Sequence, residues 1–301
     1  WFEKQPLLYR VKMKKKSLKL IVGALLITMI GGAFVGCGSS EGEEGGTVTL
    51  SGSSALLPLV EASIDGFIEK NPGYEINAQA GGSGAGLTQV LDGSVNIGNS
   101  DIFANEKLEE DKAKELVDHK VVAQGFAIVV NEAAGVKELT KQQIQDVFSG
   151  KVKNWKEVGG ADKEIFLIHR PSSSGTRATF VKTVLGGDKN LENDSLGSVQ
   201  DSSGAVAKAM AQNDGAVSYL ALSYLSSDEA KSMVKVAIDG VEASKENITT
   251  GKYPFWSWGH MYTKGEPTAE AKKFIDYIMS EDNKKVVEDT GFISGSEMKV
   301  E

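Results

Sequence analysis

The segment Arg170-Pro171-Ser172-Ser173-Ser174-Gly175-Thr176-Arg177 places two guanidinium groups and four hydroxyls within eight residues. An apolar run, Ile165-Phe166-Leu167-Ile168, precedes it and reads as a buried strand. Ala178, Val181, Val184 and Leu185 follow at helical spacing. The segment is therefore a strand–turn–helix corner with Ser174 as the helix N-cap. Such a corner aims unpaired backbone N–H groups and the positive end of a helix dipole at one spot, which favours an anion. Arg170 is the candidate charge partner, since its planar fork suits a tetrahedral oxyanion. Arg177 lies in the first helical turn, where a cation opposes the dipole, so an anion or acidic residue is expected beside it.

Two more corners of this kind lie upstream. Ser51-Gly52-Ser53-Ser54-Ala55 joins a strand at Val48–Leu50 to an apolar stripe of Leu56, Leu57, Val60, Ile64, Phe67 and Ile68. Ser54 is the expected cap there, leaving the N–H groups of Ala55 and Leu56 to donate. Gly81-Gly82-Ser83-Gly84-Ala85-Gly86 lets backbone approach a ligand closely, and Ser83 offers a hydroxyl. Each corner taken singly is ordinary helix punctuation. Three of them, each following a strand, match the way ligands sit at strand C-terminal ends in open α/β sheets. Asn99-Ser100-Asp101 adds an acid, which either caps a helix over 105–117 or faces the ligand. A carboxylate beside an anion repels it unless the anion carries a proton that the carboxylate can accept. Phosphate keeps such a proton near neutrality and sulfate does not, so Asp101 would discriminate between them.

These corners need a scaffold of alternating strands and helices, the pattern of an α/β protein. Further strands are expected at Tyr74–Ala78, Val95–Gly98, within Val121–Val130 and at Ala216–Leu222. Further helices are expected after Thr140, from Ser203, and near 268–280 and 281–289. Ahead of all this, Met13 opens a basic run (Lys14, Lys15, Lys16, Lys19), followed by an apolar core from Leu20 to Ile30 and the small-residue exit Val35-Gly36-Cys37. That is the layout of a secretory signal, and it resembles a bacterial lipoprotein signal with Cys37 as the lipidated residue. Phe34 stands where such signals usually carry Leu; an uncleaved membrane anchor is the alternative. Residues before Met13 read as an upstream extension, so residues 1–36 are set aside and 37–46 form a flexible Gly/Ser/Glu tether, with folded material from Thr47.

The chain carries 33 Lys and Arg against 41 Asp and Glu; residues 1–36 hold seven of those bases and one of the acids, which leaves the remainder at a net −14. This argues against nucleic acid, whose binding depends on Lys and Arg neutralising phosphates. A buried site can still hold a small anion through dipoles and hydrogen bonds. One cysteine and three histidines without ligand spacing indicate no metal site, no disulfide and no cofactor.

Gly52-Ser53-Ser54-Ala55-Leu56, Gly82-Ser83-Gly84, Asn99-Ser100-Asp101, Arg170 with Ser174-Gly175-Thr176, and Val147-Phe148-Ser149-Gly150-Lys151 with Asn154-Trp155 together resemble the phosphate-binding lipoproteins of bacterial phosphate ABC transporters, the PstS-type members of the periplasmic-binding-protein family. The resemblance spans nearly all of the chain after the signal. It implies a type II two-lobed α/β fold with two crossover strands forming a hinge near 122–128 and 253–258. Lobe one would be 47–124 plus 255–301, and lobe two 125–254. It implies capture of inorganic phosphate by Ser54, Ala55, Ser83, Asp101, Arg170, Ser174, Gly175 and Thr176. It also implies a lipid anchor at Cys37 on the outer face of the cell membrane, delivery to ABC permease subunits, a monomer, and no catalysis. Some members carry an acid just after the arginine that braces it; here Pro171-Ser172-Ser173 intervenes.

Three rivals stay open on the sequence. One is a receptor for sulfate, molybdate or tungstate, which Asp101 opposes. Another is a secreted serine hydrolase using Ser174 or Ser83 with His169 and Asp101, although no Gly-x-Ser-x-Gly elbow is present. The third is an adhesive surface lipoprotein without a small ligand.

Overall fold

The computed structural model describes residues 45–300; the signal, Cys37 and most of the tether lie outside the described residues. The chain runs β1 (Gly45–Gly52), α1 (Leu57–Lys70), β2 (Gly73–Ala80), α2 (Ser83–Asp92), β3 (Ile97–Ser100), α3 (Glu110–Ala113) and β4 (Leu116–Asn131). It continues through β5 (Glu138–Leu139), α4 (Lys141–Phe148), β6 (Phe166–His169), α5 (Gly175–Thr183), β7 (Ser198–Val199), α6 (Ser203–Ala211) and β8 (Ala216–Ala221). It ends with β9 (Met233–Ile238), α7 (Lys245–Thr249), β10 (Trp256–Lys264), α8 (Ala269–Ile278), α9 (Lys284–Asp289) and β11 (Ile293–Ser294). The α/β alternation expected from the sequence is present.

In the first half β1 lies parallel to β2 on one side and β3 on the other. The two crossovers carry α1 and α2, so both helices begin at the same sheet edge. α1 buries Leu59, Val60, Ser63 and Phe67 on one face, tolerates Pro58 in its first turn, and ends where Asn71 turns its amide onto the Phe67 carbonyl at 2.8 Å. Gly52 ends β1 at φ 134°, where an added Cβ would lie 2.1 Å from the Asn99 carbonyl oxygen, so only glycine fits. The Gly52 carbonyl accepts both the Gly81 and Gly82 N–H groups at 2.8 Å, which ties the first corner to the second.

β4 spans both halves of the sheet. Its first part, through Gly125, pairs with β10; from Phe126 onward it pairs with β8 and β9. The Phe126 N–H closes the junction on the Phe255 carbonyl at 3.0 Å. In the second half β6 pairs in parallel with β8 and β7. One buried apolar cluster gathers Val48, Leu50, Leu56, Phe67, Val122 and Phe274. Another gathers Phe126 to Val130, Phe148, Trp155, Phe180, Tyr219 and Leu220. Trp155 is fully buried and donates its indole N–H to the Gly215 carbonyl at 3.0 Å. Trp256 and Trp258 pack edge to face, centroids 5.9 Å apart, as crossover packing.

Three details differ from the expectations. β1 starts at Gly45 rather than Thr47, because Gly45 and Gly46 pair with Gly73 and Tyr74 at the end of the tether. No helix covers 105–117: between Asn105 and Glu115 only Leu108 and Ala113 are apolar, so no stripe sustains one, and α3 is a single turn before β4 begins at Leu116. Ser54 does not cap α1, and no side chain caps its first turn; Ser53 instead accepts the Ala55 and Leu56 N–H groups at 3.1 and 3.2 Å in the turn that leads into the helix.

Candidate functional site

Four helix starts, those of α1, α2, α5 and α6, converge with the C-terminal ends of β1, β3 and β6. Relieved of capping, Ser54 points its hydroxyl across to the other half of the molecule. Its oxygen accepts the Ser203 N–H at 3.1 Å and an Arg170 Nη2 proton at 3.2 Å, and lies 3.1 Å from the Ser203 hydroxyl. Tyr224 donates to the Ser54 carbonyl at 2.8 Å from the same side.

Asp101 follows β3 and is buried. Its backbone N–H donates to the Ser83 hydroxyl oxygen at 2.9 Å, which leaves the Ser83 proton free to donate elsewhere. Its carboxylate accepts from the Ser53 hydroxyl, from the Gln124 amide at 2.9 Å and from the Thr176 hydroxyl at 3.1 Å. Burial raises the Asp101 pKa above the ordinary carboxylate range, and those three hydrogen bonds and the Arg170 charge oppose the rise. Ser174 caps α5, accepting the Arg177 N–H at 3.2 Å as expected. Gly175 packs so tightly on the opposite wall that an added Cβ would lie 2.1 Å from the Ser83 hydroxyl oxygen and 2.8 Å from the Asp101 Cβ. The eight residues singled out for binding (Ser54, Ala55, Ser83, Asp101, Arg170, Ser174, Gly175 and Thr176) are therefore brought to one buried locus.

Arg170 is 1% exposed, yet every partner of its side chain is neutral. Nε donates to the Gln200 carbonyl at 3.0 Å and Nη2 to the Asp201 carbonyl at 3.3 Å. Nη1 donates to the Ser203 hydroxyl at 3.2 Å. Backbone carbonyls thus brace the arginine in place of the acid that Pro171-Ser172-Ser173 lacks. Burial pulls its pKa down, so the site gains from any anion that restores the charge balance. Arg177 has acids beside it, as expected: it lies 3.1 Å from Glu192 and 2.9 Å from Asp194.

His169, Glu192 and Asp194 could in principle surround a metal ion, but the guanidinium of Arg177 already serves both carboxylates. His169 does not serve a nucleophile either. Its Nδ1 lies 2.9 Å from Glu192 Oε1 and its Nε2 2.9 Å from the Leu196 carbonyl, so the serine–histidine pair of the hydrolase reading is not assembled.

Sequence reasoning missed Ser53, Gln124, Ser203, Tyr219 and Tyr224. Gln124 did carry a signal, as the one polar side chain within the apolar run Val121–Val130. Ser203 was legible only as a helix start, and Ser53 was overlooked because either serine of the pair could have capped α1.

Comparison with known proteins agrees with this geometry. The PBP superfamily domain matches residues 38–282. The phosphate-binding protein PstS of Bacillus subtilis (strain 168) is 48% identical over 299 residues, covering 96% of this chain and 97% of that protein. A crystal structure of a putative phosphate ABC transporter substrate-binding protein with bound phosphate, from Clostridium perfringens, is 31% identical with a TM-score of 0.75, covering 83% of this chain and 99% of that one. An ABC-type phosphate transport receptor from Vibrio cholerae is 26% identical with a TM-score of 0.64, covering 82% and 99%. The chain belongs to the PBP superfamily and, within it, to the PstS phosphate-binding proteins.

Proposed function

We propose that this chain captures inorganic phosphate outside the cytoplasmic membrane, without chemistry, and hands it to an ABC permease. The observation that carries the reading is the pairing of opposites at one buried locus. Arg170 offers a positive charge with only neutral partners, and Asp101 offers an acceptor. A tetrahedral anion that still carries a proton satisfies both at once. Arg170 supplies charge and a fork of donors. The hydroxyls of Ser54, Ser83, Ser174 and Thr176 and the backbone at Ala55 and Gly175 line the locus. Asp101 accepts a hydrogen bond from the ligand's P–OH, and a fully deprotonated anion would set two acceptors against each other. Sulfate, molybdate and tungstate are disfavoured on that ground.

The two groups come from opposite sides of the β4 junction, which supports a division into lobe one (47–124 plus 255–301) and lobe two (125–254). Capture then proceeds by closure about the junction near Gly125 and Phe255. The basic and apolar residues before Cys37 support a lipid anchor on the outer membrane face. Among the described residues no helix is long and apolar enough to cross a membrane. The test is native mass spectrometry of the purified chain: about one phosphate per chain, released on denaturation, supports capture. A chain that carries none and takes up none from millimolar phosphate sinks it.

A further inference from the structure

Beyond the residues that would touch phosphate lies a second buried layer centred on Glu192, a residue 5% exposed in the loop between α5 and β7. Its Oε1 accepts the Tyr219 hydroxyl proton at 2.8 Å and lies 2.9 Å from His169 Nδ1; its Oε2 lies 3.1 Å from Arg177 Nε. Both outer members of this group reach the backbone of one residue. The Tyr219 hydroxyl oxygen accepts the Arg170 N–H at 3.3 Å, and Arg177 Nη1 donates to the Arg170 carbonyl at 2.5 Å. Asp194 holds the outer edge of the Arg177 guanidinium at 2.9 and 3.0 Å. The Tyr219 ring stacks on Phe180, centroids 4.4 Å apart, which fixes the direction of its hydroxyl.

We infer that Glu192, acting through Tyr219 and Arg177, is the positioning centre for Arg170, clamping the peptide groups on both sides of its Cα. Arg170 follows the last residue of β6, where the sheet ladder no longer holds the backbone, and Pro171 has no N–H with which to take over. The guanidinium is tied to carbonyls of the loop before α6, so a backbone free to rotate would move the fork off the Ser54 and Ser203 hydroxyls. This group also accounts for a cation in the first turn of α5: Arg177 is placed against the dipole because its work lies behind the strand, on Arg170. Tyr219, Glu192 and Arg177 are positioning residues in this scheme, and none of them touches the ligand.

The inference rests on Arg170 being the charge that holds phosphate, and a double-mutant cycle separates the two claims. Phosphate affinity by titration calorimetry and ligand-free melting temperature are measured for the unaltered chain, Tyr219→Phe, Arg170→Met and the double variant. Ser218→Ala is the control; it removes a neighbouring buried hydroxyl of β8 that donates to the Ile168 carbonyl at 2.8 Å and never meets Arg170. Tyr219→Phe is expected to weaken phosphate about fivefold, the worth of one buried hydrogen bond. Ser218→Ala should lower the melting temperature and leave affinity unchanged. In the Arg170→Met background the Tyr219→Phe effect should vanish. Arg177→Met, put through the same cycle, is expected to behave likewise and replaces Tyr219→Phe if that variant does not fold. Unchanged affinity in Tyr219→Phe beside a weak Arg170→Met overturns the positioning role alone, as does an equal loss with and without Arg170. An Arg170→Met chain that binds as tightly as the unaltered one overturns the site reading and the inference with it.

Discussion

Replacing Gly175 by Ala is a sharp probe of whether the two sides of the site separate. Gly175 is the first residue of α5 and its φ lies outside the left-handed region, so the backbone accepts alanine. Space does not accept it. The new Cβ would lie 2.1 Å from the Ser83 hydroxyl oxygen and 2.8 Å from both the Ser83 and Asp101 Cβ atoms. Ordinary contact needs more than about 3.4 Å; the Ser83 hydroxyl can rotate away, but the two Cβ atoms are fixed by the backbone, so the walls must part by on the order of 0.6 Å or more. Overpacking of this kind costs about 1–3 kcal/mol. If the walls belong to lobes that part in the ligand-free state, the whole cost falls on closure. Phosphate binding by calorimetry should then weaken between about fivefold and 150-fold, while the ligand-free melting temperature stays within a degree or two of the unaltered chain. A melting temperature lowered by several degrees with unchanged affinity would mean that the contact belongs to the fold and not to capture.

Asp101→Asn should weaken phosphate and erode discrimination against sulfate, read by calorimetry with both anions. The same change should raise the ligand-free melting temperature at neutral pH. Burial lifts the Asp101 pKa in the folded chain, so its contribution to stability is full below the unfolded carboxylate value and is lost as pH rises through the folded one. Asparagine removes that loss, so the melting curves of the two chains should converge in acid and diverge with rising pH. Trp155→Phe removes the indole donor to the Gly215 carbonyl, which keeps the Phe166 N–H at 3.0 Å, and leaves space at a fully buried position; together these should cost about 1–3 kcal/mol in urea denaturation with no change in phosphate affinity. Cys37→Ser should shift the chain from the membrane fraction to the medium when it is expressed with its signal; retention on the membrane would favour an uncleaved anchor.

The parts of the fold that were legible in the sequence are those where local pattern and tertiary demand coincide. The stripe of α1, the Thr140 and Ser174 caps and the apolar β8 each bury the face that their spacing presents. The helix over 105–117 failed because pairing of Leu116–Lys120 against β10 outweighs helix propensity in a charged stretch with no stripe. The length of β4 was hidden for the same reason, since the exposed charges Asp118 and Lys120 interrupt the apolar pattern of its first five residues. At the site, helix starts and the lone acid could be read because capping chemistry is local. Which serine of 53 and 54 holds the turn before α1 and which crosses over could not be read, since that is decided by Arg170 and Ser203, 116 and 149 residues away. The bracing of Arg170 by the Gln200 and Asp201 carbonyls leaves no trace in residue type at all.

The proposed capture rests on one buried acceptor, Asp101, selecting an anion by the hydrogen it carries while Arg170 holds its charge. Titration calorimetry of one preparation at neutral pH, with phosphate and then with sulfate, tests it most directly. Phosphate should bind saturably and one to one, and sulfate should be weaker by at least about a hundredfold, the cost of facing a carboxylate with an anion that has no proton to give. Sulfate bound as tightly as phosphate would contradict it.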